Sequence, residues 1–162
     1  MSQAHPRRNA KEQARLDAAL KDLCESRIRF NQVLGMKLTE LQGPNGACCR
    51  FDMRPELVGH ELHNRLHGGV TAAVLDAMAG IALMVALGEK FAHEDAETVL
   101  HRFAKMGTID MRIDYLRPGI GQHFMAQALV TRLGGRIGST QMRLLNDQGK
   151  LIATGAGAYV IS

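Results

Sequence analysis

The residues best placed to do chemistry stand at the start of one long apolar stretch and inside it. The stretch covers residues 70–87, and Asp76 is its only charged residue. His67, Gly68 and Gly69 come directly before it. A helix that is apolar all round is buried on every side, so a lone carboxylate in it needs a partner, a ligand or a reaction to offset its desolvation. The unpaired N–H groups of a helix start carry partial positive charge, and such an end near a buried acid indicates chemistry on a carbonyl group.

The spacing of apolar residues and turn signals predicts the elements that position these residues. Pro44-Asn45-Gly46 is a hairpin signal between two short apolar runs. Gly134-Gly135 and Asp147-Gln148-Gly149 are turn signals that join the last three strands into an antiparallel meander. The predicted elements, in chain order, are a helix over 10–30, strands over 37–42 and 47–53, a loop over 55–66, the buried helix over 70–87, a charged connection over 89–97 and strands over 109–115, 122–133, 136–146 and 150–161.

The predicted elements include far more sheet than helix, yet their one long helix is apolar on every side. A single sheet face cannot cover such a helix, so the sheet must curl around it or a second subunit must cover the rest. We therefore expect an α+β fold, with an antiparallel sheet wrapped around a long central helix, an extra N-terminal helix, and a homodimer. Residues 1–33 are expected to form a basic arm with the N-terminal helix, and residues 34–162 the main domain.

Composition limits the classes of partner that this chain is expected to bind. Its 162 residues fit one domain, and its net charge is +4, with much of the excess in the first fifteen residues. Four cations there are a weak footprint for nucleic acid, and we expect a solvated terminus instead. Residues 70–87 hold an acid and are slightly short for a membrane span, so no membrane partner is expected. Three cysteines without a C-x-x-C pattern favour a reducing cytoplasm.

The arrangement of these features resembles a known family. A short hairpin, a loop, HGG opening a long apolar helix, Asp nine residues after the His, and a four-strand tail are similar to the hotdog-fold thioesterases, in particular the PaaI-like branch. The segment TIDMRIDYLRP over 108–118 adds to the likeness, which covers about 34–161. The resemblance implies a hydrolase that converts acyl-CoA into free acid and CoA. It also implies a homodimer or a dimer of dimers (a homotetramer), with no metal and no cofactor.

The resemblance also assigns roles to individual residues. The N–H of Gly68 would hydrogen-bond the thioester carbonyl, and His67 would help to hold and polarise it. Asp76 would be the nucleophile or the general base that activates water, and Thr108 would help to place the water or the acid. In this family the helix start and the acid come from different subunits, so each active site would lie between two chains.

The remaining candidate residues lie in the loop before the helix and among the arginines. The family often has Asn or Gln six residues before the His, where this chain has Glu61; Asn64 is another candidate for the polar group that orients water, and Glu61 is a candidate base. The residues expected to bind the substrate are Gly69, Asn64, Arg136, Arg112 and Arg65, the arginines as partners of the CoA phosphates. The spacing of His60, His63 and His67 would suit zinc on a helix, but the loop composition favours surface histidines.

Several functional alternatives stay open at this point. The apolar helix and nine methionines favour a medium or long acyl group, and an aryl substrate is also compatible. A non-catalytic acyl-CoA-binding module of the same fold is one alternative. A hydratase or dehydratase that acts on enoyl or 3-hydroxyacyl thioesters is another, and a nucleic-acid binder that uses the basic arm is the most distant.

Overall fold

The computed structural model describes residues 6–44 and 46–162 and is organised around one long helix. This helix, α3, runs over Gly68–Lys90 and has 23 residues. It is rich in Ala, Leu and Met, which favour helix, and the side chain of His67 caps its first turn. By length and composition α3 could cross a bilayer, but half of its most apolar 18-residue window is buried inside the fold. It is the core helix of the domain.

Six of the eight strands in the described residues form one antiparallel sheet. The strands are β1 (Lys37–Gly43), β2 (Gly46–Asp52), β3 (Val58–His60), β4 (Arg65–Leu66), β5 (Gly107–Tyr115), β6 (His123–Leu133), β7 (Ile137–Asn146) and β8 (Leu151–Val160). The order in the large sheet is β1-β2-β6-β7-β8-β5, while β3 and β4 pair separately. The meander predicted for the last three strands is confirmed, and β1 and β2 form the predicted hairpin, with Gly43 opposite Gly46. Asn45 of the predicted turn lies outside the described residues.

The large sheet wraps around α3 and forms the core with it. Phe51 of β2 and Phe124 of β6 are fully buried there and stack with ring centroids 5.4 Å apart. One stripe of α3 is nevertheless only partly covered in a single chain. The residues of this stripe include Ala73, Asp76, Ala77, Gly80 and Met84. The sheet therefore covers α3 only in part, and covering of the rest by a second subunit stays a prediction.

The N-terminal segment is helical but does not form the single predicted helix over 10–30. It is divided into α1 (Ala10–Asp22), a π-helical turn (Leu23–Arg27) and α2 (Arg29–Leu34). Leu16 and Leu20 of α1 are buried in the core, and Ile28 has extended backbone, which separates the last two pieces. The α+β fold with a sheet around a central helix and an N-terminal helix is confirmed. The boundary predicted between residues 33 and 34 stays a prediction.

Two arginines fasten the N-terminal segment to the end of α3, where a solvated terminus was expected. The guanidinium of Arg7 lies 2.6 Å from a carboxylate oxygen of Glu89. Arg8 donates to the backbone carbonyls of Phe91 at 3.1 Å and Glu94 at 3.0 Å. Arg8 also donates to the carbonyl of Gly88 in the last turn of α3. Carbonyls at a helix C-terminus lack helical partners and carry partial negative charge, so Arg8 stabilises the helix end. Residues 1–5 lie outside the described residues.

Two segments predicted as irregular contain regular structure. The connection over 89–97 leads into a short helix, α4 (Ala96–Arg102), whose N-cap Asp95 accepts a hydrogen bond from the N–H of Thr98 at 2.8 Å. The loop over 55–66 contains two 3-10 turns and the small two-stranded sheet. Both elements are too short for the periodicity of the sequence to reveal them.

Candidate active site

Close contacts at the start of α3 leave no room for side chains beside His67. The N–H of Gly69 donates to Nδ1 of His67 at 2.9 Å, so the neutral ring carries its proton on Nε2. A Cβ on Gly69 would lie 2.9 Å from that nitrogen, and a Cβ on Gly59 would lie 2.8 Å from Cα of His67. Glycine at both positions lets the imidazole cap the helix while the residue stays exposed. The Nε2–H group is thereby available as a donor to a bound carbonyl.

Gly68 provides the first N–H of α3. The N–H groups of Val70 and Thr71 both donate to the carbonyl of His67, at 3.0 and 3.2 Å. Within residues 6–44 and 46–162, the N–H of Gly68 has no acceptor, whereas its carbonyl accepts from the hydroxyl of Tyr115 at 2.9 Å. An unpaired N–H at the positive end of a helix is suited to stabilise negative charge on a carbonyl oxygen.

Asp76 is held by two hydroxyl groups that both bind one of its oxygens. The hydroxyl of Thr108 donates to Oδ1 at 2.9 Å, and the phenol of Tyr159 donates to the same oxygen at 3.0 Å. No protein donor binds Oδ2 within the described residues. Burial and then the negative charge of Asp76 raise the pKa of Tyr159, so the phenol keeps its proton and remains a donor. The half-buried carboxylate is thus fixed at one oxygen and open at the other.

A β-bulge brings Thr108 to this carboxylate. Thr108 pairs with Tyr159 across β5 and β8, and the register shifts before Asp110 pairs with Ala158. In a regular strand Thr108 would share a face with Asp110, because side chains alternate. The extra residue, Ile109, places Thr108 on the helix side instead. The bulge therefore adds a second donor to Asp76 beside Tyr159, which the sequence analysis did not select.

The helix start and the acid do not meet within one chain. Gly68 and Asp76 are eight positions apart in α3, and at 1.5 Å per residue their backbones are separated by about 12 Å along the axis. A thioester carbonyl bound at the helix start is therefore out of reach of the carboxylate of the same chain. Each chain therefore carries the predicted carbonyl-binding group, at the helix start, and the predicted acid, Asp76, at two separate places.

An apolar cavity of about 280 Å³ opens beside Asp76. Its walls come from α3, from α2 with the residue before it, and from the start of β5. The lining residues include Phe30, Ala77, Gly80, Ile81, Met84 and Met106, with Thr108 and Tyr159 at the carboxylate. A cavity of this character next to an acid is suited to a hydrocarbon chain whose reactive end lies at Asp76.

The other predicted residues lie away from Asp76 in this structure. Glu61 and Asn64 are exposed on the turn between β3 and β4 and line a separate cavity of about 750 Å³. Arg65 is half-buried in β4, and Arg136 is exposed at the turn between β6 and β7. Arg112 lies on the outer face of the sheet, where its Nη2 is 3.0 Å from Oδ1 of Asp114.

The described residues do not bring three potential metal-binding side chains together. No group of three His, Cys, Asp or Glu residues within residues 6–44 and 46–162 is placed to hold a metal ion. His60 and His63 instead stack on each other with ring centroids 5.1 Å apart, and His67 caps α3.

The sequence and fold match one family of enzymes. A family model described as the thioesterase superfamily matches residues 63–153, from just before the HGG motif into β8. The chain belongs to the thioesterase superfamily. The expected enzyme class, a hydrolase of thioesters, is confirmed, and so is the resemblance to the hotdog-fold thioesterases.

Individual members of the thioesterase superfamily are similar to this chain over most of its length. The medium/long-chain acyl-CoA thioesterase YigI of Escherichia coli strain K12 is 33% identical over 132 residues, covering 82% of this chain and 84% of that protein. A crystal structure from Shewanella oneidensis, described as related to the thioesterase superfamily, is 35% identical with a TM-score of 0.86, covering 96% of this chain and 100% of that one. A thioesterase family protein from Silicibacter pomeroyi shares the fold at 20% identity and a TM-score of 0.67, covering 90% and 96%.

Proposed function

We propose that this thioesterase hydrolyses acyl-CoA to a free acid and CoA, with Asp76 driving attack on the thioester carbonyl. The similarity to YigI, which is named for medium/long-chain acyl-CoA, supports the substrate class. The observation that carries the role of Asp76 is its hydrogen bonding, with Thr108 and Tyr159 both on Oδ1 at 2.9 and 3.0 Å. This arrangement leaves Oδ2 without a protein donor among the described residues, which supports a role for that oxygen toward water or the substrate carbon.

Two routes use the same arrangement. As a general base, Oδ2 of Asp76 takes a proton from water while the water oxygen bonds to the thioester carbon. The tetrahedral intermediate then collapses, the C–S bond breaks, and the CoA sulfur leaves and is protonated. As a nucleophile, Oδ2 itself displaces CoA and forms an anhydride, which water then cleaves. A single turnover in ¹⁸O-labelled water distinguishes the two routes if water attacks the anhydride at the carboxyl carbon of Asp76. The nucleophilic route then leaves ¹⁸O in the Asp76 carboxylate, whereas the general-base route leaves it only in the product acid.

We further propose that the helix start facing Asp76 belongs to a second copy of the chain. The separation of about 12 Å along the helix axis between Gly68 and Asp76 of one chain supports this proposal. The edge strand β5 supports the proposal, because it is exposed along most of its length and its Ile109 and Tyr115 are each 56% exposed. An exposed edge strand is a template for another strand, and symmetric pairing would also bring a second chain beside the open stripe of α3. The proposed assembly is a homodimer, or a dimer of dimers.

The cavity beside Asp76 supports a medium or long acyl group, and an aryl group is also compatible with it. For the CoA phosphates we propose Arg136, since its side chain is exposed and makes no ion pair within the described residues. Arg65 is a second candidate, whereas Arg112 is engaged by Asp114. Glu61, Asn64 and Gly69 remain proposed contacts of the substrate or of its attacking water. Three free, buried cysteines support a reducing, cytoplasmic location, and neither nucleic acid nor a membrane is proposed as a partner.

A thiol-release assay with a panel of acyl-CoA esters tests the proposal. The intact protein should release CoA from medium and long acyl chains, and Asp76→Asn should abolish release while leaving the fold unchanged. Tight binding of acyl-CoA without any release would contradict hydrolysis and support a binding module. Consumption of an enoyl thioester, followed by its absorbance, would support the hydratase alternative.

A further inference from the structure

One glycine of α3 faces the cavity, and packing within a single chain does not explain it. Gly80 lies one helical turn after Asp76 and lines the cavity of about 280 Å³. Apart from the adjoining backbone of α3, no heavy atom of residues 6–44 and 46–162 lies within 4 Å of a Cβ built on Gly80, so a side chain would extend into the cavity. Glycine inside a helix is destabilising relative to alanine, because the unfolded chain gains more freedom. The small residues near it in α3, such as Ala77 and Ala79, are alanines and not glycines.

Gly88, the last glycine of α3, is explained by packing, in contrast to Gly80. A Cβ on Gly88 would lie 3.1 Å from Cδ2 of Leu16 and 3.5 Å from a guanidinium nitrogen of Arg8. The close approach of the N-terminal segment therefore accounts for glycine at position 88. Among the described residues of the chain, position 80 has no such neighbour, and the absent side chain leaves cavity volume instead.

We propose that Gly80 is a specificity-determining residue that leaves the path open for acyl chains to extend past Asp76 along α3. The inference rests on the proposed acyl-CoA hydrolysis. Asp76, Gly80 and Met84 are spaced by four residues and so lie on one face of the helix. A thioester held at Asp76 would pass its first carbons over Gly80 and its later carbons over Met84. Phe30, in the first turn of α2, forms part of the cavity wall that comes from outside α3.

The proposal predicts that a side chain at position 80 shortens the accepted acyl chain. Gly80→Ala places a methyl group in the path, and each displaced methylene should lower kcat/KM about fourfold, which corresponds to about 0.8 kcal/mol per buried CH₂. Chains too short to reach Gly80 should change by less than about twofold. Gly80→Val should lower kcat/KM for long chains by about tenfold or more. The melting temperature of Gly80→Ala should stay unchanged or rise by about 1–4 °C, because alanine favours helix.

The experiment measures kcat/KM by thiol release for a series from butanoyl-CoA to palmitoyl-CoA, with the full chain and both variants. Gly88→Ala is the matched control, since it makes the same change in the same helix outside the cavity. It should leave the order of preference among chain lengths unchanged. A shift of Gly80→Ala toward shorter chains, with retained stability, supports the inference.

The inference and the proposed function fail in different ways. If Gly80→Ala and Gly80→Val keep the chain-length profile of the intact protein while all hydrolyse acyl-CoA, the role of Gly80 is overturned and the function stands. An equal loss on short and long chains would also overturn it, because that result indicates damage to the reacting centre. If the intact protein hydrolyses none of the series, the proposed function itself fails.

Discussion

Replacing Tyr159 with phenylalanine should slow thioester hydrolysis without unfolding the protein. The ring is 2% exposed and packs in the core, and phenylalanine preserves that packing. The substitution removes only the hydroxyl that donates to Oδ1 of Asp76 at 3.0 Å. In the proposed mechanism Tyr159 is therefore a positioning residue, which would act on the substrate through the carboxylate.

The size of the effect follows from the two donors on one oxygen. A hydrogen bond to a charged group contributes about 1.5–3 kcal/mol, which corresponds to roughly 10- to 150-fold in rate if all of it acts in the transition state. Thr108 still binds Oδ1 in the variant, at 2.9 Å in the structure, so the lower part of that range applies. We expect kcat to fall about 10- to 30-fold, with KM changed by less than about threefold.

The assay is saturation kinetics of CoA release by Tyr159→Phe, Thr108→Val and the double variant, with melting temperatures for all three. Because both hydroxyls hold the same oxygen, their effects should be coupled, and the double variant should depart from the product of the single effects by about threefold or more. If Tyr159→Phe keeps kcat within about twofold of the intact protein, the phenol does not position Asp76. Strict multiplicativity would show that the two hydroxyls act independently.

Further predictions concern the acid, the CoA contact and the thiols. Asp76→Asn and Asp76→Ala should lower kcat by about 10²- to 10⁴-fold, with unchanged circular dichroism and light-scattering mass; retained turnover would remove Asp76 from the mechanism. Arg136→Ala should raise KM for acyl-CoA and leave kcat nearly unchanged; an unchanged KM would exclude the phosphate contact. Burial raises the pKa of Cys24 and of Cys48 from 9.0 to about 11, so at pH 8 about one thiol in a thousand is ionised and disulfide reagents should label native protein slowly; fast labelling would contradict this burial. Since the unfolded thiols ionise near pH 9 and the folded ones near 11, the free energy of unfolding should fall as pH rises above 9 in chemical denaturation; a constant value up to pH 11 would show that the folded thiols ionise normally.

The sequence predicted the parts of the site that lie on α3, because their pattern is local. The apolar run, its single acid Asp76 and the HGG before it are visible without any long-range information. The contacts of Asp76 are not local, since Thr108 and Tyr159 come from strands that pair across the sheet. Strict alternation along β5 would place Thr108 on the outer face, and only the bulge at Ile109 reverses it.

The sequence around Tyr159 contains a feature that could have marked it as a candidate site residue. It is the one aromatic residue in β8, whose neighbours Gly155, Ala156, Gly157 and Ala158 are all small. A phenol among such residues has room around it and a partner to find, because a buried tyrosine hydroxyl is normally hydrogen-bonded. Its partner depends on the pairing of β5 with β8, and the crossover that brings β5 to the sheet edge cannot be derived from periodicity. The break of the N-terminal helix at Ile28 was missed because apolar spacing continues across it.

Complementation between inactive subunits tests most directly whether each active site is shared by two chains. Asp76→Ala and His67→Ala should each be inactive alone, because each lacks one half of every site. In a mixed dimer, the intact His67 of one chain faces the intact Asp76 of the other, so one of its two sites is whole. Co-folded in equal amounts, the two variants should recover about a quarter of the intact activity, since half of the dimers are mixed and each has one working site. Mixed dimers that form but stay as inactive as their parents would contradict a site built from two chains.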